Sequence, residues 1–267
     1  MTIQTLDTFL LEDIQSPDHP SDFVVREGYD VLILRLPELQ HKEVKVVSYA
    51  FVIEGSECFL YNRETESLEK LGSLVEMNRL LDEKTETLIK DIKQYHFEIE
   101  QLEETLYEGH LSQDFMQRWL TYKKDVSLVH RLMFHAALSF ELFIAHHKRE
   151  QTSTFDELAY ADLHEHMVRI RELAKAAMDK LDNLYDFYRA KVDEKMNKNV
   201  YYLTLLSGIF LPLILLTGFF GMNTGGLPLA DDPMGTWKVV GISFILEILF
   251  FLPFILQNMK KIKRYHR

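Results

Sequence analysis

The order of apolar and polar positions changes character twice along this 267-residue chain. Short β-type stretches come first, at Phe23–Val25, Val31–Leu36, Val44–Ile53 and Cys58–Tyr61, punctuated by Gly28, Pro37 and Gly55. From about Ser73 the apolar period lengthens to three and four residues. Leu74–Glu108 and Asp114–Lys148 then read as two long amphipathic helices, separated by a break at Gly109. A third helix is expected to begin near Ser153–Glu157, where Ser153, Thr154 and Asp156 offer N-caps. Its apolar positions Leu163, Met167, Ile170, Ala174, Ala177, Leu181, Leu184, Tyr188 and Val192 alternate by three and four, as in a packed helical seam. No proline or glycine intervenes between residue 154 and Gly208, so one helix is predicted to continue to about Phe220. It would be roughly 100 Å long at the ~1.5 Å rise per residue. A stripe on so long a helix calls for neighbours, and an oligomer is expected.

The second change falls at Val200. Val200–Phe220 reads VYYLTLLSGIFLPLILLTGFF, without a charge, and has the length needed to cross ~30 Å of hydrocarbon. Val239–Leu256 is a shorter apolar run, interrupted by Glu247 and Pro253. Arg189, Lys191, Lys195 and Lys198 precede the first run, and Lys260, Lys261, Lys263, Arg264 and Arg267 follow the second. The stretch between them, Gly221 to Thr236, has no Lys or Arg and holds Asp231 and Asp232. This charge asymmetry predicts a membrane hairpin whose loop faces outward and whose two ends are cytoplasmic, with Tyr201, Tyr202 and Trp237 at the interfaces. Met1–Gln15 is acidic and lacks a continuous apolar core, unlike a secretory signal.

The expected architecture is therefore an α+β cytoplasmic domain followed by a long stalk helix and two C-terminal transmembrane helices. In residue terms, 1–152 form the cytoplasmic α/β domain and 153–199 the stalk. Transmembrane helices at 200–220 and 239–257 enclose an outward loop at 221–238, and a basic cytoplasmic tail occupies 258–267.

Charge sharpens this picture. Residues 196–267 carry +4 of the chain's formal −11, which leaves −15 on residues 1–195. Such a domain repels nucleic acid and attracts cations, divalent metals included. Cys58 is the single cysteine, which excludes an internal disulfide and a multi-cysteine zinc site. His164-Glu165-His166 and His146-His147 resemble metal ligands, but helix neighbours one or two residues apart point to different faces. They and His130 and His135 read as surface or packing histidines. No phosphate loop, His-Glu-x2-His or nucleophile elbow occurs, so the chain does not read as an enzyme or an ATP-driven pump.

The first membrane run is followed by Gly221-Met222-Asn223. This triplet, at the outer end of the first of two C-terminal membrane helices and behind a long acidic domain, resembles the CorA family of divalent-cation transporters and channels. The resemblance implies a funnel-shaped homopentamer in the bacterial inner membrane, with five first helices around the pore. Helix C-termini carry partial negative charge and would converge at the outer mouth. There Gly221 permits a tight exit and Asn223 offers an amide oxygen. Mg²⁺ sheds water reluctantly, so a ring of neutral oxygens suits it in hydrated form.

Helical spacing alone nominates a pore face of Asn197, Val200, Leu203 or Thr204, Ser207, Leu211, Ile214 and Gly218. The resemblance places an asparagine of the cytoplasmic entrance on Asn197 and apolar gate positions on Val200, Leu203 and Leu211. A mid-helix proline falls on Pro212 and a glycine on Gly218. Leucine rings close pores by dewetting. Ile214 stands where a threonine is common. Asp186 matches a family aspartate that helps bind regulatory metal between protomers, and internal Mg²⁺ held there would give negative feedback.

The residues after the triplet, Thr224-Gly225-Gly226-Leu227-Pro228, resemble the ZntB zinc-transporting branch, whereas Met222 departs from it. Asp231 and Asp232 would form an outer ring of carboxylates that concentrates cations. Glu247, in mid-membrane, reads as a proton-linkage group, a partner contact, or a carboxyl hydrogen-bonded to the first helix. The leading expectation is Mg²⁺ uptake gated by the intracellular cation. Zn²⁺ (or Co²⁺ or Ni²⁺) transport and a non-conducting membrane-anchored scaffold are the rivals. No cofactor beyond the divalent cation is implied.

Overall fold

A computed structural model describes residues 6–16, 19–40, 43–108, 114–152, 155–222, 225–229 and 231–265. The chain divides into two compact units, Met1–Tyr188 and Arg189–Arg267.

In the first unit, β1 (Asp22–Arg26), β2 (Tyr29–Gln40), β3 (Glu43–Glu54), β4 (Glu57–Asn62) and β5 (Ser67–Gly72) form an antiparallel meander in chain order. Side chains alternate across a strand, and here both faces are covered. Leu32, Leu34 and Leu36 join Phe51 and Ile53 in a core shared with the long helices. Val31 and Ile33 join Ala50, Val52, Phe59 and Tyr61 against Leu10 and Ile14 of α1 (Thr8–Gln15). Burial on both sides explains why the apolar run Val31–Leu36 is unbroken rather than alternating.

Helix α1 and strand β5 were not apparent from the pattern. The signal for α1 is only the four-residue spacing of Leu6, Leu10 and Ile14, and β5 is half-exposed and polar. Two arginines fasten the C-terminal end of α1. The buried Arg35 donates from Nη2 to the carbonyls of Asp13 (3.1 Å) and Ser16 (2.6 Å) and from Nε to that of His19 (3.0 Å). Arg63 donates from Nη2 to the Ile14 carbonyl at 2.7 Å. Both thus satisfy orphan carbonyls at the negative end of a helix. Burial, followed by the nearby charge of Arg63, lowers the Arg35 guanidinium to about 10.

Pro37 does not end a strand, as its placement in the sequence suggested; it lies within β2, opposite Val46. The Arg35 amide points away from β3, to Ser21 Oγ at 2.8 Å. Two residues on, the missing Pro37 amide faces the same way, past the last β1 pairing at Ile33, where no strand needs it.

Helix α2 (Leu74–Tyr107) opens on a capping box. The Val75 amide donates to Ser73 Oγ at 3.2 Å, and the Ser73 amide to Glu76 Oε2 at 2.7 Å. Helix α3 (Phe115–Arg149) is apolar enough to span a membrane. Its Val126, Val129, Met133, Ala137, Phe140 and Phe143 are instead buried in the core of this unit. Helix α4 (Glu157–Phe220) is capped by Asp156, whose Oδ1 accepts from the amides of Leu158 (3.1 Å) and Ala159 (3.2 Å). The other two expected caps, Ser153 and Thr154, lie outside the described residues.

The α4 stripe from Leu163 to Leu184 is buried within the chain itself. Trp119 Nε1 donates to the Leu181 carbonyl at 2.7 Å, His96 Nε2 to that of Leu173 at 2.9 Å, and the Tyr160 hydroxyl to that of Leu74 at 2.7 Å. The stripe therefore makes no demand for further copies, contrary to the expectation drawn from its length. It ends at Leu184, since Tyr188 is half-buried and Val192 exposed.

In the second unit, the end of α4 lies alongside α5 (Gly235–Tyr265). The covered positions of α4 are Leu205, Gly208, Ile209, Pro212, Leu213, Leu216 and Phe220. Over Gly235–Leu249, those of α5 are Gly235, Val239, Ser243 and Glu247.

The paired histidines of α3 do not diverge. His146 Nε2 lies 3.3 Å and His147 Nε2 3.7 Å from Asp30 Oδ2, because β2 brings one carboxylate between them. His147 is a packing residue, enclosed by Phe143 and Phe155 with Nδ1 3.1 Å from Thr152 Oγ1. Burial, reinforced by His146, lowers its imidazole from 6.5 to about 4. Between those values the unfolded chain takes up a proton that the folded chain refuses, so this group makes stability fall as pH drops from 6.5 toward 4. Its contribution is at most about 3 kcal/mol. In denaturant titrations of the 1–188 unit, His147→Phe should flatten the pH dependence across that window relative to wild type.

Candidate functional site

The outer end of α4 is shaped by its last turn. The Gly221 amide donates to the Thr217 carbonyl at 2.9 Å and the Met222 amide to that of Phe219 at 3.4 Å. A Cβ built on Gly221 would stand 2.8 Å from the Thr217 oxygen, so the close turn itself calls for glycine. Met222 is exposed. Asn223 and Thr224 lie outside the described residues.

Below this turn α4 presents two faces. Asn197, Val200, Leu203, Thr204, Ser207, Leu211, Ile214 and Gly218 are all exposed. The positions turned to α5 interleave with them, and Pro212 belongs to that covered set. Thr204 Oγ1 donates to the Val200 carbonyl (2.8 Å) and Ser207 Oγ to that of Leu203 (2.9 Å). With their protons given to the helix, both hydroxyls keep lone pairs as acceptors on the exposed face.

The two loop aspartates differ. Asp231 is exposed. Asp232 caps α5, accepting the Met234 amide on Oδ1 at 2.8 Å and pairing with Lys238 through Oδ2. Lys238, then the Met234 amide, hold its carboxyl below the usual range. Lys238 was missed as its partner, although an aspartate just before a helix with a lysine in the first turns is a legible cap signal.

Asp186 is exposed on α4 in the first unit. One turn earlier, Asp182 is taken by Lys123 Nζ at 2.7 Å. Among the described residues no three His, Cys, Asp or Glu side chains gather into a metal site. Glu247 is half-buried on α5, and its Oε1 is buried with no hydrogen-bond partner among the described residues.

The first unit is a β-meander with long helices, and the second holds an apolar helix that closes on Gly221-Met222 alongside a further apolar helix. Residues 1–261 match the family described as CorA-like Mg²⁺ transporter protein, and the chain belongs to that family. It is 24% identical over 171 residues to the cobalt/magnesium transport protein CorA of Methanocaldococcus jannaschii, covering 64% of this chain and 53% of that one. It is 29% identical over 156 residues to the zinc transport protein ZntB of Vibrio parahaemolyticus, covering 57% of this chain and 49% of that one. The matches thus span about half the length of these relatives. The complete structure of the CorA magnesium transporter from Methanocaldococcus jannaschii shares the fold, with a TM-score of 0.75 at 18% identity over 93% of this chain and 83% of that one.

The contact at Gly221 generates a direct test. Gly221→Ala should destabilise the full-length protein in detergent by about 1–3 kcal/mol through overpacking against the helix backbone. Gly225→Ala, where a Cβ meets nothing within 4 Å, should leave the melting temperature unchanged.

Proposed function

We propose that five copies of this chain assemble around α4 into a passage for divalent cations across the bacterial inner membrane, with both termini cytoplasmic. The observation that carries this reading is the division of α4 into a face covered by α5 and an opposite face left exposed. The exposed face runs from Asn197 through Thr204, Ser207 and Leu211 to Gly218. One chain with two apolar helices cannot enclose a polar path, so a passage lined by the exposed face needs several copies. An exposed ridge on α3, Phe134, Leu138 and Leu142 at four-residue steps, supports self-association of the first unit as well.

In this assembly the amide oxygens of Asn223 ring the outer mouth and accept the water shell of the ion. Leu203 and Leu211 close the path by excluding water. Entry is driven by the membrane potential, ~2.3 kcal/mol per charge per 100 mV. Mg²⁺ is the first choice of ion, supported by Met222 beside Asn223. Zn²⁺ is the second, supported by the Thr224-Gly225-Gly226-Leu227-Pro228 loop. Asp186, exposed and outside any three-ligand cluster among the described residues, suits a regulatory site completed by a neighbouring protomer.

Proteoliposomes loaded with Mg²⁺- or Zn²⁺-selective dyes test the reading. Flux of one ion is expected, falling at least about tenfold on Asn223→Ala, the loss of roughly 1.4 kcal/mol or more of ion stabilisation. Absence of flux for both ions in wild type would remove the transport reading. Asp186→Asn should keep maximal flux while raising the internal cation concentration that halves it. An unchanged midpoint would exclude Asp186 from regulation.

A further inference from the structure

The first unit is strongly acidic, yet one of its cavities is walled by cations and lined by no Asp or Glu. Its volume is about 350 Å³. Arg35 enters it from β2, His19 and Ser21 from the approach to β1, and Arg131 and His135 from α3. The space exists because β1 begins at Asp22, opposite Ile33. Arg35, two residues on, is therefore met by Ser21 rather than by a strand. On α3, Leu128, Arg131, Leu132 and His135 are spaced by three and four and so share one helical face.

Arg35 is the deepest of these groups, 2% exposed. Its Nε and Nη2 are spent on the carbonyls around the end of α1, but Nη1 is buried and has no hydrogen-bond partner among the described residues. Burial and the charge of Arg63 both work against its positive charge. A buried charge without a counter-charge is costly, and so is a buried donor without an acceptor.

The neighbours of Arg35 are donors as well. Ser21, 7% exposed, accepts the Arg35 amide on Oγ at 2.8 Å, which leaves its hydroxyl proton to give. Arg131 is exposed and has no ion pair among the described residues, and the His135 ring has no hydrogen-bond partner there. His19 is already committed, with Nε2 3.4 Å from Asp13 Oδ1 and Nδ1 2.9 Å from the Pro20 carbonyl. The rest of the wall is apolar, chiefly Val46, Leu128 and Leu132. What the cavity lacks is an acceptor with negative charge.

A phosphoryl group supplies both. It carries up to two charges and three oxygens on a tetrahedral centre, which suits guanidinium, hydroxyl and imidazole donors that arrive from separate elements. We propose that this cavity is an anion site for a phosphoryl group, as inorganic phosphate or as the monoester of a small metabolite, held by Arg35, Ser21, Arg131 and His135. An anion bound there ties β2 and the end of α1 to α3. The site lies wholly in the first unit and rests on no reading of ion transport.

The test is calorimetric titration of the full-length protein in detergent, in metal-free buffer at fixed ionic strength, with inorganic phosphate and glycerol 3-phosphate as probes. Saturable binding of at least one probe is expected. Arg131→Gln should weaken it at least about tenfold, through loss of a charge-assisted contact, and His135→Gln should weaken it too. Arg79→Gln, at an exposed arginine of α2 outside the cavity, should leave it unchanged. Tighter binding of glycerol 3-phosphate assigns the apolar wall to the ester group, and tighter binding of phosphate assigns the site to the free ion. Three results would each overturn the proposal: no saturable binding of either probe, binding that Arg131→Gln leaves intact, or a loss that Arg79→Gln matches. Acetate that binds more tightly than both probes would overturn it as well, since the site would then prefer a carboxylate. Arg35 also fastens α1, so the variants spare it. As a check on folding, saturating probe should raise the melting temperature of wild type more than that of Arg131→Gln; an equal rise in the two would count against the site.

Discussion

Helix α4 has to satisfy two different surroundings with one backbone. Over its first half it offers a single apolar stripe to other parts of the same chain, and the stripe ends at Leu184. From Val200 it is apolar on nearly every side, and the chain supplies α5 for only one of them. A helix can make this change because its backbone hydrogen bonds are internal and indifferent to what lies outside. The side chains alone decide what each half requires. The α+β unit satisfies the first half completely. The second half is left with an uncovered face that includes Leu203, Leu211 and Ile214, and the proposed assembly follows from that remainder.

Much of this was legible before any coordinates. Period-three-and-four spacing marked α2, α3 and α4 to within a few residues, because a stripe packed on one side leaves a strong periodic trace. Alternation and short apolar runs marked four of the strands. Helix α1 and β5 escaped because one is held by three apolar residues and two distant arginines, and the other is a half-exposed edge with little pattern to read. Pro37 misled because its missing amide faces away from β3, a fact of pairing rather than of sequence. The shared partner of the α3 histidines was hidden in the same way, since Asp30 arrives from a strand more than a hundred residues earlier.

The two faces of α4 were legible in part for a related reason. Helical spacing separated Asn197, Thr204, Ser207 and Gly218 from the positions that α5 covers, and the structure leaves the former exposed. The commitment of Asp232 to Lys238 and the α5 cap was not visible in a count of loop charges.

The placement of the last buried core residue has a bearing on biogenesis. Leu184 precedes Val200, the start of the all-round apolar stretch, so the core of the first unit is complete in sequence before a translating ribosome reaches that stretch. Domains that fold as they emerge do so in this order.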